Sequence, residues 1–370
     1  MPRMNEPLQV KTLRMPNRLV MAPMVTGMAD DHFATDAHLA WYGKRARAGV
    51  GLVIVESCGI DPAGTIIPNM LGIWDDAFVP GLRRLAGAIQ AAGVPAVLQI
   101  VHGGARAYRP DLGVERIAPS PVALAAGPAP RTMSETEIKA VIGSFAAAAK
   151  RTQTAGFDGV EIHAAHYYLL SEFLSPKSNL RTDAWGGDRE RRARLAVEVV
   201  KAVRQAVGPD YPILCRMHAV EFVEGGMGEE DIRFTALALQ EAGVDLLNAS
   251  GVGQSSLGEW EGQTFLNTSS VLPKTAAPGT FAPFTKRLKA DLKIPVIAVG
   301  KLAEPGWAQR VLDEDQADLV AIARQLIADP LTAEKLLDHR DQDIRRCKEC
   351  LACFAAIRKG VITCGVNPEL

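Results

Sequence analysis

No run in the chain approaches the roughly 18 consecutive apolar residues of a membrane span, and the N-terminal stretch MPRMNEPLQVK has no apolar core of the kind a signal peptide needs. Charge of one sign is equally scarce. The formal net charge is -1, with 22% charged residues, so neither nucleic acid nor an anionic membrane is indicated as a partner. Low-complexity segments and long linkers are also missing. These absences predict a cytoplasmic chain whose 370 residues hold one large domain or two small ones. In a reducing compartment, clustered cysteines serve as metal or redox ligands more often than as disulfides.

What is present is a recurring unit. An amphipathic helix ends in Ala-Gly and a short apolar strand follows, at Ala48-Gly49, Ala92-Gly93, Ala155-Gly156 and Ala242-Gly243. Glycine just past a helix can take the left-handed conformation that closes the last turn. The strands VGLVIVES, VPAVLQIV, FDGVEIH and VDLLNAS barely alternate in polarity, which suits strands covered on both faces. NRLVMAP, YPILCRM, IPVIAVG and ADLVAIA bring the count to eight. Between them, Ser134 with Glu137 has capping-box spacing, and Thr35 and Asp36 suit a helix start. Eight strands each followed by a helix predict an α/β fold, a (β/α)8 TIM barrel, with an open doubly wound sheet as the alternative. The barrel is expected over residues 1–340 and a cysteine segment over 341–370. The stretch from Leu257 to Thr280 carries little helical pattern and is expected to form a loop walling the site.

In a barrel of this kind, function sits at the C-terminal ends of the strands. Those ends carry Pro23, Met24, Glu56, Ser57, Gln99, His102, His163, His166, Tyr168, Arg216, His218, Ser250, Gly300, Lys301, Ala323 and Arg324. Polar groups recur wherever a strand stops. Cys58 and Cys215 read as buried small hydrophobes, and Arg189, Arg191, Arg192 and Arg194 as one solvated helix face. Four of the six cysteines, Cys347, Cys350, Cys353 and Cys364, fall within one short stretch near the C-terminus. Such a compact set of soft thiolates suits an iron–sulfur cluster, with zinc as the alternative.

The stretch GFDGVEIHAAHYYLLSEFLSPKSNLRTDAWGG, with MAPM, LQIVHGG, VIAVGKL and ADLVAIARQLIADP, resembles the Old Yellow Enzyme family of NADH:flavin oxidoreductases. The cysteine tail narrows the resemblance to its iron–sulfur branch, which includes 2,4-dienoyl-CoA reductase and trimethylamine dehydrogenase. The resemblance implies FMN, a [4Fe–4S] cluster on Cys347, Cys350, Cys353 and Cys364, and NAD(P)H as a potential donor. It implies that Gln99 bonds the flavin ring, that Arg216 is the cation beside it, and that Pro23, Met24 and Ser57 pack along it. Gly300, Ala323 and Arg324 match its phosphate site, with Ala323 where the family usually has Gly. His163 and His166 match the pair that holds a carbonyl oxygen, and Tyr168 the proton donor. Val25 replaces the cysteine that binds FMN covalently in trimethylamine dehydrogenase. Ser255 stands where dienoyl-CoA reductase has a catalytic histidine, and Tyr167 where a small residue is usual. The implied activity is reduction of an activated C=C bond in an enone or enoate. Oxidation of a methylated amine, with electrons leaving through the cluster, is the alternative, and a non-enzymatic electron-transfer subunit a third reading. A small-molecule substrate is expected, with an electron-transfer partner or an FAD/NAD(P)-binding subunit as candidate partners and self-association an open option.

Overall fold

The computed structural model describes residues 3–107, 113, 115–357 and 360–370. Eight parallel strands close into a barrel: β1 Leu19–Met21, β2 Leu52–Gly59, β3 Ala96–Val101, β4 Gly159–Ala164, β5 Ile213–Glu221, β6 Leu246–Val252, β7 Val296–Ala298 and β8 Leu319–Ile322. Each strand pairs with the next in chain order, and β8 pairs with β1. The eight expected strands are these eight, and the sheet is closed, not open.

Burial explains the lack of alternation in the strand sequences. All eight residues of β2 and all nine of β5 are buried, because one face meets helices and the other meets the barrel interior. Inside, Val20, Leu52, Ile54, Val97, Leu214, Leu246, Ile297 and Leu319 form an apolar floor. Truncating such a side chain to Ala costs about 2–5 kcal/mol. Gly49, Gly93, Gly156 and Gly243 all adopt positive φ at the helix ends, as the Ala-Gly repeat predicts. The capping box at Ser134 forms: Glu137 N–H donates to Ser134 Oγ, and Ser134 N–H donates to a Glu137 carboxylate oxygen. The helix Asp36–Arg47 begins where expected.

Two expectations need correction. The segment after β6 is not irregular. Gln254–Trp260 and Gln263–Ser269 form an antiparallel hairpin turning on Glu261-Gly262, both at positive φ. That is the backbone a two-residue hairpin requires, and Glu-Gly between two β-prone runs was the available signal. Arg192 does not belong to a solvated face. It is buried, and its guanidinium donates to Leu174 O, Gly187 O and Asp231 Oδ1.

No helix among the described residues is long and apolar enough to cross a membrane. Cys58 and Cys215 are fully buried, as their apolar neighbours suggest.

Candidate functional site

Above the apolar floor, the inward positions of β3 to β6 turn polar. Gln99 is level with Glu161, and Arg216 is level with both His163 and Asn248, so three neighbouring strands present one shared rung. Glu161 is fully buried. Its two oxygens accept from Gln99 Nε2 at 2.6 Å and Asn248 Nδ2 at 2.8 Å, and Ser57 Oγ donates to Gln99 Oε1. Burial pushes the Glu161 carboxyl up, while the nearby Arg216 guanidinium and the two amides pull it back. Arg216 is buried as well, and its Nε–H has no partner among the described residues.

On that rung and the loop just above it, His163, His166 and Tyr168 meet. The His163 ring lies 5.0 Å from that of His166 and 4.9 Å from that of Tyr168, all edge-on. Ala165 N–H donates to His163 Nδ1 at 3.2 Å, which assigns the proton to Nε2. His166 Nε2 pairs with Ser250 Oγ at 2.8 Å, and Arg216 reaches the same oxygen. His166 N–H donates to His218 Nε2 at 2.6 Å, so His218 supports the loop from below. Burial first, then the Arg216 charge, holds both His163 and His166 well below the usual imidazole range, so both rings are neutral. Burial raises the Tyr168 hydroxyl against the pull of Arg106 and Arg216, and keeps its proton in place.

The loop carrying this trio is strained. His166 and Tyr167 are consecutive non-glycine residues at φ 63° and 55°, a conformation that costs of order 1 kcal/mol each. Packing holds it. Tyr167 is fully buried away from the cavity, its hydroxyl 3.0 Å from Ser175 Oγ, and its N–H donates to Ser171 Oγ. Tyr167 therefore packs outward and does not line the pocket.

The trio opens onto a cavity of about 990 Å³. Pro23, Met24 and Val25 after β1, Ser57 of β2 and Gln99 of β3 line it, together with Arg216. Gly300, Ala323 and Arg324 line it after β7 and β8. Gly300 sits at φ 115°, where a side chain would be strained and a Cβ would crowd the Phe281 ring at 3.2 Å. Ala323 has φ -113°, so this turn is made without the positive φ that favours glycine. One terminal nitrogen of Arg324 is buried without a partner among the described residues. A cavity of this size, with unpartnered guanidinium N–H groups at two places, fits a ring system carrying an anionic arm. The hairpin forms another wall through Gln254, Phe265, Asn267 and Thr268. Ser255 instead donates to Phe222 O at an exposed position and is not part of the lining.

Two features escaped the sequence reading. Arg106, two residues past the LQIVHGG match, lines the cavity. Glu56 anchors a buried network beneath the Met24–Thr26 turn: it accepts from Thr26 N–H and from the Tyr42 hydroxyl, with His38 Nε2 at 3.5 Å. Charge at a strand end hinted at Glu56, but nothing in its spacing showed the partners. His102 is structural, its Nδ1 accepting from Gly104 N–H. Arg181 orders its loop by pairing with Asp183 and bonding Met133 O.

The cysteine segment closes the cavity's remaining edge through Cys347 and Cys353. Cys347 N–H donates to Gln325 Oε1 at 2.9 Å, Glu349 pairs with the well-buried Lys301 at 2.8 Å, and Ile362 N–H donates to Thr26 O. Burial raises the Cys347 and Cys353 thiols, and each of the two is close enough to Cys364 for the charges to interact. Cys350 is exposed, and no group of three or more His, Cys, Asp or Glu side chains among the described residues converges on a metal position. The donor chemistry fits a thiolate-bound cluster, but neither three nor all four of these thiols are gathered around one point.

A closed barrel with a polar, cation-bearing mouth defines a pocket suited to an anionic cofactor or substrate. The chain belongs to the NADH:flavin oxidoreductase / NADH oxidase family, whose model matches residues 3–343. It is 39% identical to a metal reductase of Desulforamulus reducens over 98% of this chain and 53% of that protein. Among solved structures it resembles a 2-naphthoyl-CoA reductase (TM-score 0.89, 28% identity, 99% of this chain and 57% of that one). It also resembles the histamine dehydrogenase of Rhizobium sp. 4-9 (TM-score 0.85, 26% identity, 99% and 52%). The chain spans about half the length of these relatives.

Proposed function

We propose that this chain is the catalytic barrel of an FMN- and [4Fe–4S]-dependent oxidoreductase that reduces an activated C=C bond, with NADH or NADPH as the source of electrons. The observation that carries the reading is the trio of His163, His166 and Tyr168, neutral and edge-on, with the His163 ring 5.0 Å from that of His166 and 4.9 Å from that of Tyr168, at the mouth of a flavin-sized cavity. Gln99, Arg216, Ser57, Pro23 and Met24 would hold the flavin ring, and Gly300, Ala323 and Arg324 its phosphate. Cys347, Cys350, Cys353 and Cys364 would ligate the cluster, the four thiols drawing together around it and Cys350 turning inward from its exposed position. When bound, the flavin supplies hydride transfer and the cluster single-electron exchange.

The chain's own residues supply the rest. His163, its Nδ1 already bonded to Ala165 N–H, offers Nε2–H to a substrate carbonyl oxygen, and His166 offers a second contact. Polarising that carbonyl makes the distal alkene carbon electrophilic. Tyr168 holds the proton that the other carbon needs, and burial keeps the phenol protonated until then. Arg216 contributes the positive charge that favours a reduced, anionic ring, while Glu161 tempers it from below.

The likeness to histamine dehydrogenase supports a second reading, oxidation of an amine at the same site. Anaerobic titration separates the two. Reoxidation of the reduced protein by 2-cyclohexenone is the expected result; bleaching of the oxidised flavin by a methylated amine alone would transfer the assignment to amine oxidation. Iron, acid-labile sulfide and zinc analysis of anaerobically purified protein tests the cluster separately.

A further inference from the structure

Arg106 has a setting that holding the flavin or the reacting carbonyl does not explain. It follows β3 and lines the cavity, and its three side-chain hydrogen bonds among the described residues go to one hairpin residue: both terminal nitrogens to Thr268 O, at 3.3 and 3.2 Å, and one to Thr268 Oγ1 at 2.6 Å. Its Nε–H is buried without a partner among the described residues. No carboxylate there lies within ion-pair distance. Glu172, the carboxylate whose charge it feels, takes Ala105 N–H on one oxygen and is itself driven toward its neutral form by burial. The guanidinium acts electrostatically on both Tyr168 and His166, which places it beside the reacting end of the cavity.

A half-buried cation whose spare donor is itself buried is costly unless an anion or several waters complete its shell. A substrate entering this cavity displaces water, so the missing partner falls to the substrate. A carboxylate meets the need best, because its planar pair of oxygens matches the guanidinium edge. We propose that Arg106, braced by Thr268, is an anion seat, and that the natural substrate is an unsaturated compound bearing a carboxylate apart from the carbonyl held by His163 and His166. This deepens the alkene-reductase reading and rests on it for the orientation of the substrate, although not for the binding itself.

The test uses 4-oxopent-2-enoate and its methyl ester, equal in reach and differing in charge. Each is titrated into the flavin-loaded oxidised protein at pH 7, with the flavin absorption as readout. The acid is expected to bind at least about tenfold more tightly than the ester, since a charge-assisted contact of this kind is lost with the ester. Arg106→Gln should abolish the preference by weakening the acid alone, and Arg106→Lys should restore part of it. Equal affinity of acid and ester in the unaltered protein, or a preference that survives Arg106→Gln, overturns the seat. Should Arg106→Gln not yield folded protein, Thr268→Val decides: a reduced acid-to-ester ratio supports the seat and an unchanged ratio overturns it. The two readings fail separately. An acid that binds through Arg106 without reoxidising the reduced flavin sinks alkene reduction and leaves the seat standing; an ester that reoxidises it and binds as well as the acid does the reverse.

Discussion

The histidine rim and the cysteine segment face one cavity, yet they are held in different ways. At the rim, both histidines and the loop between them and Tyr168 are held from behind. His163 is oriented by Ala165, His166 by Ser250 and His218, and the loop by the wholly buried Tyr167. The cysteine segment instead touches the barrel at separate points, through Gln325, Lys301 and Thr26, and leaves Cys350 in solvent. The rim needs atoms fixed before substrate arrives, because orientation is much of what it contributes. A segment whose proposed role is to ligate a cluster can be organised by the metal itself.

That contrast can be broken most forcefully from beneath. Arg216→Met removes the cation that faces Glu161 and leaves a buried carboxyl uncompensated, so the folded state should lose on the order of 3 kcal/mol and the protein should emerge without flavin. Urea unfolding and the absorption spectrum read both effects. Tyr168→Phe should leave flavin content and stability near those of the parent while slowing reoxidation by an enone roughly 100-fold or more; rapid-mixing kinetics measure it.

Acid should attack the rim and spare the segment. His102 is lowered to about 4 and His218 to about 3, chiefly by burial. Because these folded-state values lie below the unfolded value of 6.5, the unfolded chain binds more protons under that pH. Stability is therefore complete above about pH 7 and declines as pH falls from about 6.5 toward 4. Urea midpoints measured across that window should fall steadily, and a flat profile would contradict neutral buried imidazoles. The smallest effect on folding is expected for Cys350→Ser. It should lower iron and sulfide content while changing barrel stability by less than about 1 kcal/mol, read by metal analysis beside thermal melting. Loss of the whole fold in this variant would erase the distinction between the two regions.

Much of this was legible in the residues. Strands covered on both faces cannot alternate, so VGLVIVES and its seven counterparts announced a parallel barrel, and Ala-Gly marked where helices ended. Residues at strand ends were equally readable, since the fold sends Gln99, His163 and Arg216 to one mouth by position alone. The misses share a cause. Arg192 looked like one more charge on a polar helix, and only three-dimensional neighbours reveal its three buried acceptors. Arg106 matters through Thr268, 162 residues away. The hairpin was different: its Glu261-Gly262 turn was written locally and was passed over.

The left-handed pair at His166 and Tyr167 gives the molecule an adjustable part outside the cavity wall. The Tyr167 ring fills the space behind the loop, 6.2 Å from that of His218, whose Nε2 accepts from His166 N–H. A smaller residue there would relax that packing and redirect the imidazole without altering any surface that substrate meets. Selection acting on that one hidden ring could retune which molecules the mouth accepts.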